Sequence, residues 1–315
     1  MSLAIAVDAM SGASPGDVVR GAMAAARTHP DVRFVLVGRE EALREEIERA
    51  GGSAANVELV GAERAIEAGE PPVEAIRRRT GSSLEVAARL LRTGEVSAFV
   101  TAGGPGACVA AASILLGLLP GVRRAALAVS LPAGTGSVVV IDAGANLASR
   151  AEHLIQYGIM GSLYAKTLLG RDSPRVGLLV FGGEPEEADP VLEGARAAFR
   201  GSRLNFVGDV EGADVFRGGS DVVVCDGFVG RIAVRVSESL AEDLAESAEG
   251  TLRERLDAAR LGGGALLGAN GVAVLARGRP GAEALEAAVR IARTLVETDF
   301  TKRIADEIHS SSEWA

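Results

Sequence analysis

The stretch Ser137-Val-Val-Val-Ile-Asp-Ala-Gly-Ala-Asn146 decides the fold. Residues 138–141 form an unbroken β-branched run, the pattern of a parallel strand buried on both faces. The polar residues fall at its carboxyl end, where open α/β sheets bind ligands. Asp142 can accept hydrogen bonds, Gly144 permits a turn that a side chain would block, and Asn146 offers both a donor and an acceptor. The competing reading is a strand-to-helix turn in which Asp142 and Asn146 only satisfy backbone groups.

Outward from this stretch the pattern alternates. Strands are predicted over residues 3–7, 33–37, 57–60, 96–101, 175–181, 204–207, 221–225 and 272–276. Residues 125–131 and 138–141 read as paired strands around a turn at 132–136. Helices are predicted over 18–28, 40–50, 82–93, 107–119, 151–169 and 281–308. Residues 230–261 read as one long helix or two, and 262–268 as a glycine-rich return. Such alternation calls for a mostly parallel sheet with helices on both faces. No repeat or linker divides the chain, so a single domain over 1–315 is expected, with a small protruding helical part over about 231–261.

Composition narrows the function. A net charge of -9 argues against a general nucleic-acid binder, which needs a basic surface. Cys108 and Cys225 sit in apolar runs, as free thiols in a reducing compartment do. His29, His153 and His309 are far apart, so no metal is expected. The opening Met1-Ser-Leu-Ala-Ile-Ala-Val-Asp8 lacks the basic and long apolar regions of a signal peptide, and the apolar run 107–119 is too short to span a bilayer. A cytoplasmic chain is expected.

Three further stretches point to an anion. Ser82 and Glu85 have capping-box spacing, and Arg77, Arg78 and Arg79 precede that helix start. Ala102-Gly-Gly-Pro-Gly-Ala107 joins a strand to a helix, a phosphate cradle that is neither a Walker A loop nor GxGxxG. Asp226-Gly-Phe-Val-Gly230 repeats the order strand, acid, glycine turn, helix. The carboxylates of 184–189 read as a solvated acidic loop rather than a metal site.

Several motifs fall in one order: Asp8-Ala-Met with Gly12, Gly81-Ser-Ser83, Thr101-Ala-Gly103 with Gly106, Asp142-Ala-Gly-Ala-Asn146, Met160-Gly161, Asp221-Val-Val-Val-Cys-Asp-Gly-Phe-Val-Gly230 and Gly263-Gly-Ala-Leu-Leu-Gly268. Along nearly its whole length the chain thereby resembles the bacterial phosphate acyltransferase (PlsX) family of phospholipid synthesis. The resemblance implies a three-layer α/β/α sandwich similar to phosphotransacetylase and the isocitrate dehydrogenase class. It implies transfer of an acyl group from acyl-ACP or acyl-CoA to orthophosphate, no cofactor, a homodimer, and acyl carrier protein or acyl-CoA as donor. The catalytic residues carried over are Asp142, Asn146 and Asp226, with Arg231 where the family has asparagine. Those for phosphate or substrate are Asp8, Gly12, Ser82, Ser83, Gly103, Gly106, Gly144, Gly227 and Gly230. Gly104 and Pro105 replace an amide and a hydroxyl, and the lysine expected after the 184–187 acids is absent.

Two readings stay open at this level. One is an active phosphate acyltransferase. The other is an impaired paralogue that binds an acyl carrier or acyl phosphate as a regulatory subunit. Replacing Asp142 or Asn146 by alanine is expected to remove ligand binding without unfolding the chain. The stretch 241–261 is acidic and lacks aromatics, so weak or absent membrane association is expected.

Overall fold

A computed structural model describes residues 3–12, 15–67, 69–78, 81–134, 136–182, 189–247, 250, 263–277 and 282–311. Two compact units emerge: Met1–Gly117 with Gly262–Thr298, and Leu118–Leu261 with Asp299–Ala315. Elements are numbered along the chain.

The first unit carries β1 (Ala4–Asp8), β2 (Arg33–Gly38), β3 (Val57–Gly61), β4 (Ala98–Thr101), β10 (Gly264–Leu267) and β11 (Val272–Leu275) in the order β3-β2-β1-β4-β11-β10. All neighbours are parallel except β10 and β11. Every residue of β1 is buried, whereas β3 at the end of the order is half-exposed. Helix α1 (Pro15–Thr28) buries Val18, Val19, Ala22, Met23, Ala25 and Ala26 at helical spacing. It packs on α9 (Ala282–Glu297) through Gly21, where a Cβ would sit 2.9 Å from that of Leu285. Helices α2 (Glu40–Arg49), α3 (Pro72–Arg78), α4 (Ser83–Arg92) and α5 (Pro105–Ala111) complete the unit. Ser14, which with Pro15 and Asp17 reads from the sequence as a helix start, lies outside the described residues.

The second unit carries β5 (Ala126–Ala133), β6 (Gly136–Ile141), β7 (Arg175–Val180), β8 (Asn205–Glu211) and β9 (Val222–Val224), ordered β5-β6-β9-β7-β8. Only the β5–β6 hairpin is antiparallel. The deciding stretch is thus a strand with one antiparallel and one parallel neighbour, fully buried over Val138–Ile141. Helices α6 (Ala151–Leu169), α7 (Pro190–Gly201), α8 (Gly227–Ser247) and α10 (Phe300–Ser311) pack around it. Gly158 and Gly161 let α6 lie close against the Phe199 ring and against Val222 and Ile141. Asp221 accepts hydrogen bonds from the Arg175 backbone N–H (2.9 Å) and its guanidinium (3.0 and 3.2 Å), tying β9 to β7.

In each unit the strands are mostly parallel and packed with helices, the α/β class that the alternating pattern predicts. The sequence reading left out α3, and four other elements differ from it. The glycine-rich return at 262–268 contains a true strand, β10, because Ala265–Leu267 bury fully and pair with β11. The single helix expected over 281–308 is two, parted at Asp299, whose φ of 49° no continuing helix tolerates. The helix expected over 107–119 starts at Pro105, passes into a π-helical turn at Ala112–Leu116 and stops at Gly117. Pro132 lies inside β5 rather than in the hairpin turn, opposite Ser137.

Candidate active site

In the second unit the loop after β6 is built around one carboxylate. Asp142 is fully buried. Its Oδ1 accepts from the backbone N–H groups of Leu127 (3.1 Å), Gly144 (3.0 Å) and Ala145 (2.8 Å). Its Oδ2 accepts from the Asn146 N–H and the Asn146 side-chain amide, both at 2.8 Å. The amide's second hydrogen goes to the Ala125 carbonyl (2.8 Å). Burial pushes the Asp142 carboxyl above its ordinary range, and the donors from Ala145, Asn146, Leu127 and Gly144 pull the other way. Asp142 and Asn146 therefore hold the loop's shape. Gly144 turns at φ 124°, and the Arg231 side chain lies across it, 3.2–3.4 Å from where a Cβ would stand.

Helix α8 starts directly on this loop. Asp226 is its cap: the side chain accepts from the Val229 N–H (2.9 Å) and the backbone carbonyl from Gly230. A Cβ at Gly230 would run into the Asp142 carbonyl oxygen, and one at Gly227 would lie 2.9 Å from both Asn146 N and Asp142 Oδ2. The glycines of Asp226-Gly-Phe-Val-Gly230 are thus the condition for seating the positive end of a 21-residue helix on the Asp142 loop. Arg231 stands one turn into α8, exposed, with no ion-pair partner among the described residues. Cys225 donates its thiol to the Asp142 carbonyl (3.5 Å), and burial pushes it well above its ordinary range, so it is not a nucleophile. Burial likewise pushes the Tyr157 hydroxyl up to about 12; it receives a 3.4 Å bond from Ser149.

A groove of about 710 Å³ opens beside Asp226. Its walls come from α8 (Val229, Ile232, Ala233, Val236), from β7 and Phe181, and from Leu147, Val191, Leu192, Val215 and Phe216. The sequence reading missed it, since its lining is drawn from six separate stretches. The one available signal was the apolar spacing Phe228, Ile232, Val236, Leu240, Leu244 along α8, all of them exposed.

The first unit has a second strand-end carboxylate. Asp8 Oδ1 accepts from the N–H groups of Met10 (3.3 Å) and Ser11 (3.2 Å), and Oδ2 from the Thr101 hydroxyl (2.8 Å), which itself accepts from Gly103 N–H (3.0 Å). Gly12, at φ 98°, backs onto the Ala102 carbonyl, and a Gly103 Cβ would lie 2.8 Å from that of Ser11. Gly106 packs on Pro72. Ser82 caps α4, accepting from Glu85 N–H (3.3 Å), while the Glu85 carboxylate accepts from Gly81 N–H (2.8 Å). The Ser82 cap expected from the spacing is therefore present, while the return bond from Glu85 goes to the residue before it. Ser83 and Ser11 are buried, and neither hydroxyl has a partner among the described residues. Burial, then the nearby Asp8, push Cys108 up to about 12. Arg78 pairs with Glu74, while Arg79 and the acidic residues 184–187 lie outside the described residues. No metal-ligand cluster occurs among the described residues.

The profile of a family described as "Fatty acid synthesis protein" matches residues 3–254. The chain belongs to the fatty acid synthesis protein family. Relatives include a phosphate acyltransferase of Pelotomaculum thermopropionicum, 41% identical over 98% of this chain and 95% of that protein. One of Desulforamulus reducens is 38% identical over 97% of each. The resemblance read from the motifs is thereby upheld across nearly the whole chain. Among solved structures, a phosphotransacetylase from Streptococcus pyogenes superposes with a TM-score of 0.64 at 15% identity, covering 94% of both chains. A branched-chain phosphotransacylase from Enterococcus faecalis gives 0.62 at 15% identity, covering 93% of this chain and 99% of the other. These two likenesses establish the shared α/β fold. Within the fatty acid synthesis protein family, this chain seats an arginine, Arg231, on its strand-end glycine turn.

Proposed function

We propose that this chain is a phosphate acyltransferase, moving an acyl group from a thioester donor to orthophosphate. The observation that carries the chemistry is the exposed Arg231, whose aliphatic stem lies over Gly144 at the positive end of α8. A guanidinium grips phosphate by paired charge-assisted hydrogen bonds, and a helix N-terminus favours the same anion. A phosphate oxygen attacks the thioester carbonyl carbon; the carbon–oxygen bond forms, the carbon–sulfur bond breaks, and the phosphate proton ends on the departing thiol. No covalent enzyme intermediate is needed. The free N–H groups of the first turn of α8 stabilise the oxyanion, and Asp226 fixes that turn. Asp142 and Asn146 act as positioning residues.

The regulatory-paralogue reading has no observation in its favour, whereas the relatives' names favour the enzyme. The donor is read as an acyl carrier protein or coenzyme A thioester. The exposed Leu240 and Leu244 on α8 suit packing against a second copy. The test is incubation with an acyl thioester and orthophosphate, trapping acyl phosphate as the hydroxamate. Wild type forms it. Arg231→Ala keeps its melting temperature and raises KM for orthophosphate about ten- to a hundredfold, the worth of one charge-assisted contact. An unchanged KM removes Arg231 from the site, and no acyl phosphate from any donor overturns the activity.

A further inference from the structure

We propose that the groove beside α8 holds the hydrocarbon chain of the acyl donor, and that Ala233 and Val236 set the length it accepts. The inference rests on the acyl-transfer reading. It starts from what the groove lacks. Among the described residues, polar side chains enter its lining as Ser149, Asp189, Asp226 and Ser237. Each is already engaged within the chain: Ser149 with Tyr157, Asp189 with the Val191 N–H, Asp226 with the Val229 N–H and Ser237 with the Ala233 carbonyl. A nucleotide or sugar entering here would give up its water and find few groups to replace it. An alkyl chain gives up nothing polar and gains by area alone.

Position argues for the same occupant. The groove begins at Asp226, the cap that seats α8 on the Asp142 loop, so a carbonyl held at that helix end has its alkyl tail already at the groove. This continuity with the reacting end distinguishes an acyl chain from an unrelated apolar partner. Length is consistent too. From Asp226 to Ser237 the lining follows α8 for about 16 Å at the helical rise. An extended chain of single bonds advances about 1.2 Å per bond, so about a dozen carbons lie along it. Ala233 and Val236 face that path three residues apart, and Ala233 is the smallest side chain that α8 contributes to the wall. Its size keeps the channel open where a larger residue would close it.

The experiment measures kcat/KM for a series of acyl thioesters from acetyl to palmitoyl, in wild type, Ala233→Phe and Val236→Trp. In wild type, KM falls about four-fold per added methylene until the chain fills the groove, then levels. In both variants the ratio of long-chain to acetyl kcat/KM drops by tenfold or more and the levelling point moves to shorter chains. Displacement of a fluorescent long-chain fatty acid is read in parallel and needs no turnover. If no donor yields acyl phosphate, the activity reading fails, yet weaker probe binding in the variants still supports the groove. A chain-length profile or probe affinity that is the same in wild type and variants overturns the proposal. So does a variant that alters only dimerisation or vesicle binding, since another copy or a lipid surface would then be the occupant.

Discussion

The Asp8 turn and the Asp142 turn begin from the same local device: a buried strand that ends in aspartate, followed by small residues. They are finished differently. Asp8 accepts three hydrogen bonds, one of them from Thr101 on the neighbouring strand β4. Asp142 accepts five, from Leu127 on β5 as well as from its own loop, and it carries α8 and Arg231 on top. The Asp8 turn leaves the buried Ser11 hydroxyl without a partner among the described residues. The Asp142 turn is therefore the more completely preorganised of the two. What differs is the number of distant segments converging on the carboxylate.

The largest expected effect follows from that count. Asp142→Ala strands five donors, one buried and four part-buried, and costs about 4 kcal/mol in urea unfolding, against about 2 kcal/mol for Asp8→Ala. Equal losses would mean that the two turns are equivalent. The expectation that Asp142 can be removed at the expense of ligand alone is thus replaced by one in which fold and site fail together.

Next come the glycines. Gly230→Ala forces a Cβ into the Asp142 carbonyl and costs about 3 kcal/mol. Gly106→Ala meets only the Pro72 ring, which can shift, and costs about 1 kcal/mol. The melting temperatures of the two variants test the contrast; a Gly230→Ala as mild as Gly106→Ala would show that α8 slides freely on the loop.

A smaller, pH-dependent effect belongs to the second unit alone. His153, just past the Asp142 loop, accepts the Arg150 N–H at Nδ1 (3.1 Å), and burial holds its pKa below the ordinary value, with Arg124, Arg150 and Arg123 acting the same way and Glu152 opposing. With the folded value below the unfolded one, the neutral ring's contribution is complete above about pH 6.5 and is lost as pH falls through it. The melting temperature should drop on acidification, and drop less in His153→Gln. A larger drop in the variant would reverse the sign.

The smallest effect probes the unfinished turn. Ser11→Ala removes a buried hydroxyl that has no partner among the described residues and should raise stability by about 1 kcal/mol. A loss instead would reveal a partner for that hydroxyl.

Much of this was legible in the sequence. The β-branched run 138–141 announced a buried strand, and Asp142 at its end announced a polar turn. The spacing of Ser82 and Glu85 announced a helix start. What could not be read was which polar groups remain available. Asp142 and Asn146 look like ligands on paper, yet their hydrogen-bonding capacity is largely absorbed by Leu127, Ala125 and the loop itself. Arg231 looks like a displaced asparagine until its side chain is seen across Gly144. Residues 262–268 were misread because four glycines suggest a turn, whereas pairing with β11 makes part of the stretch a strand.

By itself the sequence determined the element types, the carboxyl-end turns and, through the order of its motifs, the family. Those features depend on periodicity and backbone propensity within a few residues of one another. Tertiary structure alone decided that five donors converge on Asp142, that the segment after Asp299 is a separate helix, and that α8, β7 and the 212–216 turn enclose an apolar groove. Each of these rests on groups far apart in the chain. Their mutual satisfaction or burial is a property of packing that no local pattern records.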